Sequence, residues 1–294
     1  MYKAHIADRL LNAMDAHYPE VKELCRDHRR TFKDSLCMVP RELIHGYIFM
    51  LMCKSGLTSR EKRKDLPYLY ISSQLNALSN WRYTRSIYRF DESLYHELVS
   101  QPLDIVPMKL LYALPEPSMY IETTENPYTG QGFFAHFNFT SGAHQLILSF
   151  FPSSRLVLEL PIHNGQSIQR MVANLLDNFS GTVDISSRRN LEIKCRIALN
   201  LLLYLCCENA DYSGSKKPKK PSKWSEKKAT VYRNIGFHIG KMLRQEQGEH
   251  EQTHKMKPHI RSAHWCTYWV GKRGEQTPIL NWIAPIFVNQ IEKE

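Results

Sequence analysis

Apolar residues recur at helical spacing from the start of the chain. Ile6, Leu10, Leu11 and Met14 predict an amphipathic helix. Pro40 opens a second helical segment, with Leu43, Ile44, Tyr47, Ile48, Leu51 and Met52 on and near one face. Gly56 suits a left-handed cap at its end. A basic connector over 59–65 leads to a third helical stretch around Leu69, Leu75, Leu78 and Trp81. Asp91 then caps a short helix running through Val99, because its carboxylate accepts backbone N–H groups that have no partner inside the helix.

After Pro115 and Pro117 the period shortens. Residues 119–123, 132–139, 144–151 and 156–160 form aromatic or β-branched runs separated by turn residues, the pattern of an antiparallel meander. Ser141-Gly142 falls where a tight hairpin turn belongs. Helices are expected over 166–178 and 187–209. The second is apolar on nearly every side around 199–205 and reads as a central core element. Near the end, 259–270 and 279–288 flank Gly271-Lys272-Arg273-Gly274, which predicts a β-hairpin with a wide turn. The expected fold class is α+β: N-terminal helices, a central antiparallel sheet with packed helices, and a C-terminal β-hairpin. The expected organisation is a helical region over 1–112 and an α+β core over 113–210. A basic linker or loop follows over 211–230, then a terminal segment over 231–294 packed on the core.

Composition adds limits. With 43% hydrophobic and 23% charged residues, the 294-residue chain can bury a core. Its longest nearly apolar stretches, 43–53 and 197–207, fall short of the ~18–20 residues that cross a bilayer. His5, Asp8 and Arg9 stand where a secretory signal needs apolar residues. A cytoplasmic protein without a membrane partner is therefore expected. Seven cysteines (Cys25, Cys37, Cys53, Cys195, Cys206, Cys207 and Cys266) contain no CxxC pair and suggest no disulfide framework. The net charge of +10 is concentrated. Seven lysines and one acid, Glu226, between 216 and 228 supply +6 of it, leaving +4 for the rest of the chain.

Several motifs carry possible chemistry. His250-Glu251-Gln252-Thr253-His254 matches the HExxH spacing of zinc proteases, but its surroundings are hydrophilic, with no apolar positions to hold a metal helix against a core. His264 and Cys266 project to the same side of a strand, yet no second pair has metal-ligand spacing. Lys216, Lys217, Lys219, Lys220, Lys223, Lys227 and Lys228 are candidate phosphate contacts, with Trp224 placed to stack on a base. A solvated linker explains the same composition. No GxSxG, GxxxxGK[ST] or GxGxxG loop is present, so binding rather than catalysis is expected, with no catalytic residue, metal or cofactor. The terminal hairpin supplies the best binding candidates: Arg261, His264, Trp265, Tyr268 and Trp269. Strict alternation puts Arg261, Trp265 and Trp269 on one face and His264 and Tyr268 on the other. Aromatic rings and arginine are enriched at binding hot spots, and the same rings also suit packing against Trp282, Ile286 and Phe287.

The run Lys257-Pro-His-Ile-Arg-Ser-Ala-His-Trp-Cys-Thr-Tyr-Trp-Val-Gly271, followed by Trp282-Ile-Ala-Pro-Ile-Phe-Val-Asn289, resembles the C-terminal signature of an anti-CRISPR family. It is the second numbered family directed at the type V-A effector nuclease. Further matches are Asn80-Trp81-Arg82, Ile87-Tyr88, Asp91-Glu92, Leu114-Pro115 before Tyr120, Gly165-Gln166-Ser167-Ile168 and Leu202-Leu203-Tyr204-Leu205-Cys206. A family member has histidine where this chain has Cys266. The first ~60 residues, the 211–257 region and the HExxH motif lie outside the resemblance. The resemblance implies an anti-CRISPR protein of a phage or plasmid that evades host defence by lowering synthesis of the type V-A effector. Its implied partner is the effector or its nascent N-terminal polypeptide, with the ribosome or messenger RNA close by. The lysine segment supports a different reading, an RNA- or DNA-binding regulator of a mobile element with no CRISPR target.

Overall fold

The structure is a computed structural model. It describes residues 4–32, 39–55, 68–103, 106–140, 143–179, 185–212, 217–218, 225–250, 259–272 and 274–288. Gly56, the 59–65 connector and Ser141-Gly142 lie outside the described residues. Two compact units alternate along the sequence. The first comprises Met1–Tyr88, Glu116–Ile162 and Lys219–Tyr232. The second comprises Arg89–Pro115, His163–Pro218 and Arg233–Glu294.

The first unit begins with helices α1 (Ile6–His17), α2 (Pro19–Thr31), α3 (Arg41–Lys54) and α4 (Tyr68–Trp81). Strand β1 (Ser86–Phe90) follows, and then the expected meander of β2 (Ser118–Asn126), β3 (Gly130–Thr140), β4 (Ala143–Ser149) and β5 (Val157–Pro161). With β6 (Val231–Ile235) the sheet has six strands in the order β5-β4-β3-β2-β1-β6. The fold is α+β, as expected. The apolar faces of α1, α3 and α4 meet over the sheet: Leu11 and Met14, Ile44 and Ile48, and Leu75, Leu78 and Trp81 are buried with Tyr120, Phe134 and Phe151. Phe134 sits edge-on to Trp81 and Tyr120, at centroid distances of 5.8 and 4.8 Å, and stacks on Phe151 at 4.9 Å.

Polar residues inside this unit are tied to specific groups. Asn80 accepts from the Val39 backbone N–H (3.1 Å) and donates to the Val39 carbonyl (3.0 Å), so its amide substitutes for a neighbouring strand. Trp81 Nε1 donates to the Ser86 carbonyl at 2.9 Å. The buried guanidinium of Arg82 bridges Asp15 and Glu226, and Lys22 and Arg26 also pair with Glu226. Through Glu226 and the Lys227 N–H, which donates to the Arg82 carbonyl at 3.1 Å, the last part of the lysine run is fastened to the end of α4.

The second unit contains α5 (Glu92–Ser100), a short 3-10 helix (Met108–Ala113), α6 (Ile168–Phe179), α7 (Ile185–Cys206) and α8 (Phe237–His250). Asp91 caps α5 through Ser93 N–H at 3.0 Å, as predicted. Helix α7 is the central element, with Leu199, Leu201, Leu202, Leu203, Tyr204 and Leu205 all buried. Its one polar intruder, Asn200, donates to the Gln101 carbonyl at 2.8 Å.

Strands β1 and β6 and helix α8 extend the sequence-based expectation. Helix α8 lacks a strong apolar stripe, and two other features fix it. The Asp211 carboxylate accepts from His238 and Ile239 N–H at 2.7 and 3.3 Å, capping the helix from a distance. Gly236 and Gly240 let α8 close on α5: a Cβ at Gly240 would overlap the Asp91 carboxylate, and Gly236 has φ 82 beside Leu94.

Candidate functional site

The terminal hairpin consists of β8 (His264–Val270) and β9 (Thr277–Ile283), preceded by β7 (His259–Arg261) and followed by β10 (Ile286–Val288). Strand β7 pairs with β10, and Arg261↔Ile286 and His264↔Ile283 belong to one continuous register. The expected hairpin is therefore a single ladder interrupted at Ser262-Ala263 and Ala284-Pro285. Pro285 has no N–H to contribute there.

The base of the hairpin is anchored from β9. Asn209, just beyond α7, donates to the Trp282 carbonyl at 2.8 Å and accepts from the Trp282 N–H at 3.1 Å. Glu208 N–H donates to the Leu280 carbonyl at 3.0 Å. Trp282 lies edge-on to Tyr204 at 5.8 Å, and Trp265 stands directly opposite Trp282 across the ladder. Both indoles are buried, and neither Nε1 has a hydrogen-bond partner among the described residues.

On the tryptophan face of β8, exposure rises from base to tip. Trp265 and Trp269 share one face by alternation, yet they are 8% and 52% exposed. Tyr268 and Val270 are likewise open to solvent. The Trp269 ring carries the Lys109 ammonium 5.0 Å from its centroid, a cation–π contact from the 3-10 helix. Sequence periodicity gives no hint of Lys109, which is far from the hairpin along the chain. His264, Cys266 and Tyr268 share the opposite face. The Tyr268 phenol donates to the Cys266 sulfur, and that bond, with the repulsion between the two groups when ionised, raises the phenol's pKa. Among the described residues no group of three His, Cys, Asp or Glu side chains is arranged to hold a metal.

The remaining candidates are scattered. The side chain of Arg261 lies outside the described residues, though its backbone pairs with Ile286. Lys217 turns its ammonium onto the end of α7, donating to the Cys206 and Cys207 carbonyls at 3.3 and 3.4 Å. Lys227 and Lys228 are exposed. Lys216, Lys219, Lys220, Lys223 and Trp224 lie outside the described residues. His250 ends α8, and Glu251 and His254 are also outside them. No helix among the described residues is long and apolar enough to cross a membrane.

Comparison with known proteins adds three findings. The sequence profile of the AcrVA2-like family, described as the anti-CRISPR type V subtype A2 family, matches residues 88–290. The Escherichia coli protein FinQ is 22% identical over 254 residues, covering 71% of this chain and 74% of FinQ. The crystal structure of AcrVA2 superposes with a TM-score of 0.72 at 22% identity, covering 98% of this chain and 100% of that one. The matched residues include the hairpin, α7 and the Asp91 cap, and on that match the chain belongs to the anti-CRISPR type V subtype A2 family.

Proposed function

We propose that the chain is a binding-type anti-CRISPR protein acting in the bacterial cytoplasm. It recognises the nascent N-terminal polypeptide of the type V-A effector nuclease and lowers the effector's messenger and synthesis. The observation that carries this reading is the hairpin tip. Its base is buried and anchored, while Tyr268, Trp269 and Val270 stay exposed on a rigid two-stranded support. Exposed aromatic rings on a rigid support suit a binding surface, because few degrees of freedom are lost on contact. Arg261, His264, Tyr268 and Trp269 form the contact surface, and Trp265 holds it from below. Lys227 and Lys228 give the chain a route to ribosomal or messenger RNA. No catalytic residue is required in this chain.

The test uses cells that make both proteins, with the effector's first codons rewritten in two ways. One version changes the nucleotides but keeps the peptide. The other shifts the reading frame of the same region and restores it downstream. Messenger and protein should fall for the first version and escape for the second. Equal loss in both, or inhibition of the effector at unchanged abundance, would sink the reading.

A further inference from the structure

The outer edge of the hairpin carries an unused set of backbone groups. Leu280 and Trp282 direct their backbone polar groups toward Glu208 and Asn209, away from β8. In an antiparallel pair these directions alternate. The ladder bonds to β8 are therefore made by residues 279, 281 and 283, opposite Tyr268, Cys266 and His264. Trp265, Thr267 and Trp269 consequently present their N–H and C=O groups away from β9. Among the described residues these groups make no hydrogen bond.

Other strand edges among the described residues carry protecting features. On β5, the bonds Phe150 N–H to Leu156 and Ile162 N–H to His144 show that residues 157, 159 and 161 face outward. That edge carries the charged Glu159, paired with Arg41, and ends in Pro161. On β6, Ile235 is bridged by Tyr212. The outer edge of β9 is taken by Glu208 and Asn209. Charged side chains, proline and covering segments are the usual means of keeping an edge from pairing. Strand β8, His-Trp-Cys-Thr-Tyr-Trp-Val, contains no proline, lysine, arginine or acid. It is seven residues long and flanked by exposed rings.

We propose that β8 recognises its partner by strand addition: an extended polypeptide pairs with the outward N–H and C=O groups of Thr267 and Trp269, and its side chains rest on the aromatic tip. The occupant is the nascent effector chain, so the proposal rests on the function proposed above. A chain emerging from the ribosome has no folded surface to offer, but its backbone donors and acceptors are unpaired along its length. An open edge pairs with those groups directly, and neighbouring side chains add selectivity.

The experiment measures amide hydrogen exchange by NMR on the full chain, with and without synthetic peptides tiling the effector's N-terminal segment. At saturation the Thr267 and Trp269 amides should slow about 100-fold. Those of Cys266 and Tyr268, already bonded to β9, should change little. A peptide that binds while the Thr267 and Trp269 amides stay fast overturns strand addition alone. Failure of every peptide to bind overturns both this proposal and the nascent-chain reading. Protection that grows with protein concentration in the absence of peptide assigns the edge to a second copy of this chain and overturns the proposed occupant. Thr267→Pro, which removes one outward N–H, should weaken peptide binding by about tenfold or more, whereas Thr267→Val should retain it. If Thr267→Pro fails to fold, the exchange measurement on the unaltered chain still decides.

Discussion

The interior of the first unit and the tip of the hairpin in the second are opposites. The first buries polar groups: Asn76, Asn80, Arg82 and His136 are all at most 2% exposed. The second leaves apolar groups in water. The buried groups are spent on the fold. His136 Nε2 lies 2.7 Å from Asn76 Oδ1, Asn76 donates to the Val39 carbonyl at 3.1 Å, and Arg82 is fixed between two carboxylates. The exposed rings of Tyr268 and Trp269 contribute little to burial, and their placement on an anchored ladder leaves them open to the contact proposed above. Residues that resist burial by chemistry are thus structural here, and residues that favour burial are presented to solvent. The comparison can be broken by substitutions on either side.

The largest effect is expected at Arg82. Arg82→Met removes the buried cation between Asp15 and Glu226, leaving them the more exposed Lys22 at 3.7 and 3.8 Å, and a partner removed from a buried ion pair destabilises by about 3 kcal/mol or more. Trp282→Ala should cost a similar ~3–5 kcal/mol, because it empties the contact with Tyr204 and Trp265. Denaturant titration of both variants tests this. A loss below about 1 kcal/mol at Arg82 would show that the polar interior is dispensable and the contrast unfounded.

The next effect is a pH dependence. Burial, reinforced by the Arg41 charge, pushes the His136 pKa down from 6.5 to about 3. Its unfolded imidazole therefore binds a proton that the folded one refuses. The resulting stability is complete above pH 6.5 and is lost as pH falls from 6.5 toward 3. The slope is about 1.4 kcal/mol per pH unit for one proton. His45, also lowered by burial and Arg41, adds in the same direction. The His136→Gln variant should be less stable at neutral pH but show a shallower decline below pH 6.5. A decline as steep as that of the unaltered chain would assign the acid sensitivity to other groups.

This polar interior was not visible as such in the sequence. Hydrophobic spacing located α1, α3, α4, α7, the meander and the hairpin because each buries a regular stripe or run. It did not locate β1 and β6, five-residue strands whose pairing partners lie far away along the chain. Nor did it locate α8, which depends on Asp211, Asp91 and two glycines rather than on an apolar face. Asn80-Trp81-Arg82 and Gly165-Gln166-Ser167-Ile168 were legible as part of a family resemblance, but not as the fastenings they prove to be. Gln166, for example, accepts from Met108 N–H at 3.0 Å, and Ser167 Oγ accepts from Arg170 N–H at 3.2 Å. In the hairpin, the unbroken register over 264–270 puts Trp265 and Trp269 on one face and His264 and Tyr268 on the other, as alternation predicts. The gradient of exposure between Trp265 and Trp269, and the arrival of Lys109, depend on tertiary packing that no local pattern encodes.

A smaller effect separates cations that look alike in sequence. Lys217 covers two carbonyls at the end of α7, a favourable position for a positive charge near a helix C-terminus. Lys217→Met should lower stability by about 1 kcal/mol. The same change at Lys227 or Lys228, whose side chains are exposed, should stay within about 0.5 kcal/mol and weaken only RNA or ribosome association. Thermal melts and sedimentation with ribosomes resolve the two classes. Equal behaviour of all three would remove the distinction between a fastening lysine and a free one.

The smallest stability effect, and the most informative, belongs to the tip. Trp269→Ala removes a ring that is half exposed, together with its contact to Lys109, and cation–π contacts at such sites contribute about 0.5–1 kcal/mol. Tyr268→Ala removes comparably little packing, since its ring is 47% exposed. Melting of either variant should therefore differ little from the unaltered chain, whereas truncation of a ring at an interface centre weakens binding by about 2 kcal/mol or more. Suppression of the effector should collapse at an intact fold. Trp265→Ala serves as the counterpart on the same strand face: it should lose ~3–5 kcal/mol of stability first, and function only as a consequence. If Trp269→Ala and Tyr268→Ala suppress the effector as well as the unaltered chain does, the exposed tip is not the contact surface. If either melts as low as Trp265→Ala, the tip is part of the core. Retained melting with lost suppression is the outcome in which alternation sets the faces of the hairpin and distance from its base decides which rings bind.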